Sequence, residues 1–263
     1  MAPMAWEREL NVARRLAAQA GGVALSLQAR GIRTESKPDL SPVTAADREC
    51  ERLIAHGLEE AFAEDGLIGE EGTLKETASG RRWIIDPIDG TKDYVRGCPT
   101  WGVLIALEAQ GEVVTGVCHL AAQGAMYFAA RGGGAYVDGS RIRVSGVSEP
   151  AQAVLCVNSL NEVGEMPFAE RLLEWTKRFW SVRSFGGCQD AMLVASGRAD
   201  AWIEPHAAAW DLAPLKIILE EAGAAFFNFD GGSSIYGGNA AACVPALEAE
   251  LRRFILGEPG GGG

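Results

Sequence analysis

The chain is short of several things that would settle a function class at once. It has three histidines, His56, His119 and His206, and none stands at metal-ligand spacing from another. A histidine-based metal site or a Ser-His-Asp type triad is therefore not expected. The six cysteines (Cys50, Cys98, Cys118, Cys156, Cys188, Cys243) contain no C-x-x-C pair. Neither a zinc ribbon nor a disulfide framework follows from them, and they read as small buried hydrophobes. No apolar run approaches the roughly 20 residues needed to cross a bilayer. Glu7, Arg8 and Glu9 stand where a secretory leader would need its apolar stretch, so a cytoplasmic, non-membrane protein is expected. Basic residues are outnumbered, 24 against 35 acidic, for a formal charge of -11. That argues against a general nucleic-acid binder, which needs a basic face to neutralise phosphates. An acidic protein that handles a phosphorylated molecule must neutralise it locally, and bound cations are one means.

At 263 residues the chain suffices for one large domain or two that share a core. Residues 6–30 have helical spacing, with Leu10, Ala13, Ala17 and Ala20 on one face and Gly21-Gly22 as a possible kink. Residues 34–42 read as a polar loop. A second helix, 44–62, carries the stripe Cys50, Leu53, Ile54, Leu58, Ala61 and Phe62. Short strands follow at 67–68, 83–86, 102–108, 113–120 and 125–130, with tight turns at Gly111-Glu112 and Gly132-Gly133-Gly134. After a boundary at Ser148-Glu149-Pro150 strands and helices alternate: strand 154–157, helix 167–179, strand 182–184, helix 188–196. Strand 200–204, helix 211–221 and strand 225–229 complete the series. The Gly-rich tail 258–263 reads as disordered. The tryptophans, among them Trp83, Trp101, Trp175, Trp180, Trp202 and Trp210, read as core.

The most informative stretch is W-I-I-D-P-I-D-G-T-K-D-Y, residues 83–94. An apolar strand ends in Asp86, Pro87 stops regular pairing, and Asp89 follows just before Gly90-Thr91. Two carboxylates are thus placed side by side at a strand end, as a hard cation such as Mg²⁺ requires. Gly90-Thr91 can begin a helix whose free N–H groups hold an anion. Taken alone, D-P-x-D is equally a type I turn. Gly69-Glu70-Glu71-Gly72 sets two acids after a short strand, though as solvated loop acids they would need no function. Thr44 with Asp47, and Asp211 after Trp210, have the bland alternative of helix caps.

Together, in this order, D-P-I-D-G-T at 86–91, G-E-E at 69–71, Thr44 to Asp47, and W-D-L-A at 210–213 running to E-A-G at 221–223 resemble the inositol monophosphatase superfamily. The resemblance implies a layered αβαβα arrangement, α/β in class. It would comprise an α+β half, 1–149, and an α/β half, 150–257, that supplies Asp211 and substrate contacts across a cleft. It implies a phosphomonoesterase acting on a small phosphorylated metabolite with two or three Mg²⁺ ions. By the same resemblance Glu70, Asp86, Asp89, Asp211 and the carbonyl of Ile88 are metal ligands. Thr91, Asp47 and Glu70 activate water, and the Gly90 and Thr91 amides hold phosphate. Family members are commonly homodimers.

The run T-K-D-Y-V-R-G, 91–97, is similar to the histidinol-phosphatase branch, while inositol monophosphatases typically have Thr and Asn at Lys92 and Asp93 and a His near Ala208. The sequence departs from that branch at Gly186-Gly187, where Gly-Asp is usual, and Asp190 is a candidate replacement acid. Glu204 matches a substrate-contacting acid, able to pair with a hydroxyl or an ammonium; otherwise it caps a strand end. Lys92 and Arg183 are further candidate substrate contacts. Inositol 1-phosphate, another sugar or nucleotide phosphate, and a non-catalytic phosphometabolite-binding role are the alternatives.

Overall fold

A computed structural model describes residues 6–31, 34–36 and 42–257. The chain opens with α1 (Glu7–Ala29), a short hairpin β1 (Thr34–Ser36) and β2 (Pro42–Thr44), and α2 (Ala45–Ala61). Next come β3 (Gly66–Gly69), β4 (Leu74–Lys75), β5 (Arg81–Asp89) and α3 (Thr91–Arg96). A meander follows: β6 (Gly102–Ala109), β7 (Glu112–Leu120), β8 (Ala125–Ala130), β9 (Gly134–Val137) and β10 (Ser140–Ile142). Beyond it lie β11 (Val154–Val157), α4 (Leu160–Val163), α5 (Ala169–Thr176), β12 (Ser181–Arg183) and α6 (Gly187–Ala195). The chain ends with β13 (Ala201–Glu204), α7 (Ala209–Glu221), β14 (Ala225–Phe227), β15 (Ala240–Cys243) and α8 (Glu248–Leu256).

An eight-stranded sheet runs β10-β9-β8-β7-β6-β5-β3-β4, and a five-stranded one runs β12-β11-β13-β15-β14. Side-chain alternation in the large sheet sorts its residues between two cores. Trp83, Ile85, Val103, Ile105 and Leu107 pack with α1 and α2. Ile84, Leu104, Ala106, Cys118 and Leu120 face α6 and α7. The small sheet does the same: Cys156, Trp202, Ala240 and Ala242 join α6 and α7, while Leu155, Val157, Ala201 and Ile203 pack on α5 and α8. The layers are therefore helix, sheet, helix, sheet, helix, as expected. No described helix is long and apolar enough to cross a membrane.

Three local expectations change. α1 runs unbroken through Gly21-Gly22. Gly21 is buried, and a Cβ there would lie 2.8 Å from both Ala121 and His119, so this glycine permits close packing rather than a kink. The segment expected as a loop over 34–42 instead pairs Thr34–Ser36 with Pro42–Thr44; residues 37–41, like the tail 258–263, lie outside the described residues. Trp180 is 73% exposed, unlike Trp83, Trp101 and Trp202, which are fully buried.

α7 lies directly on β7, and Gly116 makes this possible. A Cβ at 116 would sit 2.7 Å from the Pro214 carbonyl oxygen and 2.4 Å from an Ile217 methyl. Because backbone cannot yield as a side-chain end does, Gly116→Ala is expected to lower unfolding free energy by about 1–3 kcal/mol in a denaturant titration.

Candidate active site

Asp86 and Asp89 are set by an irregularity in β5. Asp86 pairs with Leu104 and Asp89 with Gly102, so three residue steps on β5 oppose two on β6. Pro87 lies within that bulge, where its missing N–H costs no ladder bond. The Asp86 carboxylate takes the Ile88 N–H at 2.9 Å. The chain then turns at Gly90, whose φ of 83° favours glycine, and enters α3, which ends on Gly97 at φ 74°. Across the cleft, α7 brings Asp211 into its first turn, where its carboxylate accepts the Ala208 N–H at 2.6 Å. Asp211 is thus not the N-cap, which is Ala208, but the third residue of the helix, whose carboxylate closes back on the N-cap amide. Even so, its carboxylate also reaches the aspartates of β5: oxygens of Asp86, Asp89 and Asp211 lie within 4.8 Å of one another.

Asp89 is further held by the Cys188 N–H at the start of α6, at 3.0 Å. Thr44 and Asp47 form a true capping box, the Asp47 Oδ2 accepting from Thr44 N at 2.8 Å and from its hydroxyl at 2.6 Å. The other oxygen of Asp47 faces Thr91, whose hydroxyl lies 3.3 Å from it and 3.2 Å from the Ile88 carbonyl. The cap and the site are therefore one device, since capping spends one oxygen and leaves the second for Thr91.

Gathering acids in a buried place costs free energy, and the protonation equilibria record it. Burial, then Glu70, Asp89 and Asp211, push the Asp86 carboxyl well above the ordinary range. Burial raises Asp89 against the opposing Cys188 hydrogen bonds. Asp211 is pushed up to about 7 by burial first and Asp89 second. Burial also raises Asp47, and raises Glu204 well above its usual value. A cluster whose strongest mutual influence is carboxylate repulsion fits a hard divalent cation, which takes clustered oxygen ligands and removes that repulsion.

Two adjoining recesses, of ≈ 450 and ≈ 350 Å³, share Glu70, Asp89, Gly90, Thr91, Lys92 and Gly187 in their walls. The smaller also takes in Asp86, Ile88, Glu204 and Asp211; the larger takes in Asp93 and Gly186. Glu204 is buried and accepts the Asn158 amide at 2.7 Å. Arg183 lines a separate recess with Trp180 and Leu193, and its guanidinium donates to the Val182 carbonyl. Asp190 is fully buried; its carboxylate accepts the Phe185 N–H at 3.1 Å and so holds the loop that carries Gly186. Burial first, against those backbone bonds, brings Asp190 to about 6.

Sequence reasoning missed Asn158 and Ser159, which line both recesses just after β11. The signal was available: like Asp86, they are polar residues at the end of an apolar strand. It also missed Glu51, a buried acid on α2.

Comparison with known proteins shows the family and the fold. The model of the inositol monophosphatase family matches residues 5–255. A histidinol-phosphatase of Chlorobaculum parvum is 39% identical over 248 residues, 94% of this chain and 95% of that one. An inositol-1-monophosphatase of Rhizobium meliloti is 33% identical over 82% of this chain and 83% of its own. The crystal structure of extragenic suppressor protein suhB from Bartonella henselae superposes with a TM-score of 0.88 at 28% identity, covering 96% of this chain and 100% of that one.

Proposed function

The chain belongs to the inositol monophosphatase family of phosphatases, and from that premise we propose that it releases phosphate from histidinol phosphate. In this reading Glu70, Asp86, Asp89, Asp211 and the Ile88 carbonyl hold Mg²⁺. Residues 1–149 supply most of the ligands and 150–257 supply Asp211 and the substrate contacts. Mg²⁺ bound there acts as a Lewis acid toward the phosphoryl group and lowers the pKa of water.

The chain's own residues do the rest. The Thr91 hydroxyl gives its proton toward Asp47, which frees an oxygen lone pair to accept a hydrogen bond from water. Asp47 is fixed for this by Thr44, and Glu70 faces the same recess as Thr91. In this reading the amides of Gly90, the N-cap of α3, and of Thr91, its first residue, hold the phosphate oxygens, since the first amides of a helix have no partner inside it. Asp86 is buried while Asp89 and Asp211 are half-buried, so the acids meet at the cleft wall with two of them open to the recess.

One observation carries the choice of ester. The glycine pair 186–187 lies between two carboxylates: a Cβ on Gly186 would be 3.1 Å from Asp93 Oδ2, and one on Gly187 would be 3.2 Å from Glu204 Oε2. Each acid has one bond already, from the Thr100 hydroxyl and the Asn158 amide, which leaves acceptor capacity for a cation. Histidinol phosphate brings an ammonium to such a place, whereas inositol phosphate brings only hydroxyls. Inositol 1-phosphate is the second reading, favoured by the absence of an acid at Gly187 and by the 33% identical relative. Phosphate release from histidinol phosphate, inositol 1-phosphate, fructose 1,6-bisphosphate and 3′-phosphoadenosine 5′-phosphate decides between them. The expected result is a kcat/KM for histidinol phosphate at least about tenfold above the others, the discrimination one buried charged contact supplies. A preference for the neutral polyol ester would contradict the reading.

A further inference from the structure

Helix α2 carries two buried carboxylates one turn apart, Asp47 and Glu51. The four-residue spacing places both on one face of the helix. Asp47 reaches Thr91, but Glu51 lines neither recess of the cleft. Its two oxygens are instead spent on backbone: Oε2 accepts the Glu71 N–H at 2.7 Å and Oε1 the Thr73 N–H at 2.9 Å. Those amides belong to the turn between β3 and β4 that presents Glu70.

Other bonds of that turn are the Glu70 N–H on the Ile85 carbonyl (3.2 Å), the Gly69 N–H on the Thr73 carbonyl (2.8 Å) and the Gly72 N–H on the Gly69 carbonyl (3.3 Å). Ile85 immediately precedes Asp86, so the turn is tied to the strand that carries the aspartates. Gly69 makes room for the helix's acid: a Cβ there would sit 2.5 Å from the Glu51 carboxylate. Burying a carboxylate is costly unless it is hydrogen-bonded. This one is only 3% exposed and is spent on two amides of a turn at which an ordinary hairpin would need no outside acid.

We propose that Glu51 is a positioning residue for the metal site: by gripping the Glu71 and Thr73 amides it fixes turn 70–73 so that Glu70 faces Asp86. The proposal rests on the reading of Glu70 as a metal ligand. α2 then acts as a strut between two parts of the site, Thr91 through Asp47 and Glu70 through Glu51. A glutamine at 51 keeps one acceptor oxygen but turns its NH₂ group against the second amide, so it releases half of the grip with little change of volume.

The test is calorimetric titration of Mg²⁺ into metal-free wild type, Glu51→Gln, Glu70→Gln and the exposed control Glu59→Gln, with steady-state kinetics in parallel. Glu51→Gln is expected to weaken Mg²⁺ by about 10- to 100-fold, the usual effect of losing a group that orients a ligand. Its kcat should recover at saturating Mg²⁺ with KM for the ester little changed; Glu59→Gln should behave as wild type. A folded Glu51→Gln with wild-type Mg²⁺ affinity overturns the proposal. Glu70→Gln separates the two failures. If it too binds Mg²⁺ normally, the metal-site reading falls; if it weakens Mg²⁺ while Glu51→Gln does not, only the positioning role falls. Should Glu51→Gln not fold, hydrogen exchange on the metal-free wild type decides. The Glu71 and Thr73 amides are expected to be protected, and exchange at the rate of an open turn overturns the proposal.

Discussion

Asp89→Asn is expected to remove turnover while leaving the fold intact, and to leave the metal-free protein as stable as wild type or more so. The asparagine oxygen can still accept the Cys188 N–H that now meets Asp89 at 3.0 Å, so α6 keeps its anchor. What disappears is the negative charge that Asp89 shares with Asp86 and Asp211 across less than 4.8 Å. Burial and neighbouring acids already hold the Asp89 carboxyl above its ordinary range, so its ionised form is a cost in the absence of a cation. With a cation the same charge becomes a ligand, and its loss should exceed the roughly 100-fold effect of losing a mere orienting group. Phosphate release and thermal melting on the same preparation check both halves. Near-normal turnover, or a large fall in metal-free stability, would contradict the assignment.

The second large effect couples pH to metal. Asp86, Asp89 and Glu204 are raised, and Asp211 is raised to about 7 from an ordinary 3.8. From the ordinary carboxylate range up through about 7 the native state binds more protons than the unfolded chain, so stability falls as pH rises through that window. Mg²⁺ relieves this loss by binding the ionised cluster, adding about 2.7 kcal/mol at 100 times its dissociation constant. The metal-free protein should therefore melt lower at pH 8 than at pH 5.5, and Mg²⁺ should raise the melting temperature far more at pH 8. Equal Mg²⁺ shifts at both values, or greater metal-free stability at pH 8, would contradict the reading. EDTA should abolish phosphate release at pH 8.

The site was legible to the extent that its parts are local in sequence. Asp86-Pro87-Ile88-Asp89-Gly90-Thr91 reads as strand end, tight turn and helix start because proline and glycine mark where regular structure stops, whereas the strand runs on through a bulge to Asp89. Thr44 with Asp47 reads as a capping box and proves to be one. Its second task is invisible in sequence, because Thr91 lies 44 residues away and meets Asp47 only through the fold. Glu51 was hidden for the same reason: on α2 it looks like one more acid, and only its contact with turn 70–73 marks it.

Arg183 shows the converse. An arginine in a strand near the glycine pair is a candidate to face the cleft, yet β12 is the edge of the small sheet and places it in another recess. Residues 240–256 were not assigned from sequence. β15 is Ala-Ala-Ala-Cys, which has neither alternation nor β-branched residues, because it is buried on both faces between β13 and β14. α8, by contrast, carries Leu251, Phe254 and Ile255 at helical spacing, a pattern that periodicity alone detects.

If acids from the two halves of the chain form one cation site, anomalous diffraction from crystals soaked in Mn²⁺, as a stand-in for Mg²⁺, will locate the ion there. The expected result is an anomalous peak in contact with Asp86, Asp89 and Asp211, with Glu70 facing it. Ordered crystals with Mn²⁺ only at other surface acids, or with no peak between β5 and α7, would contradict it.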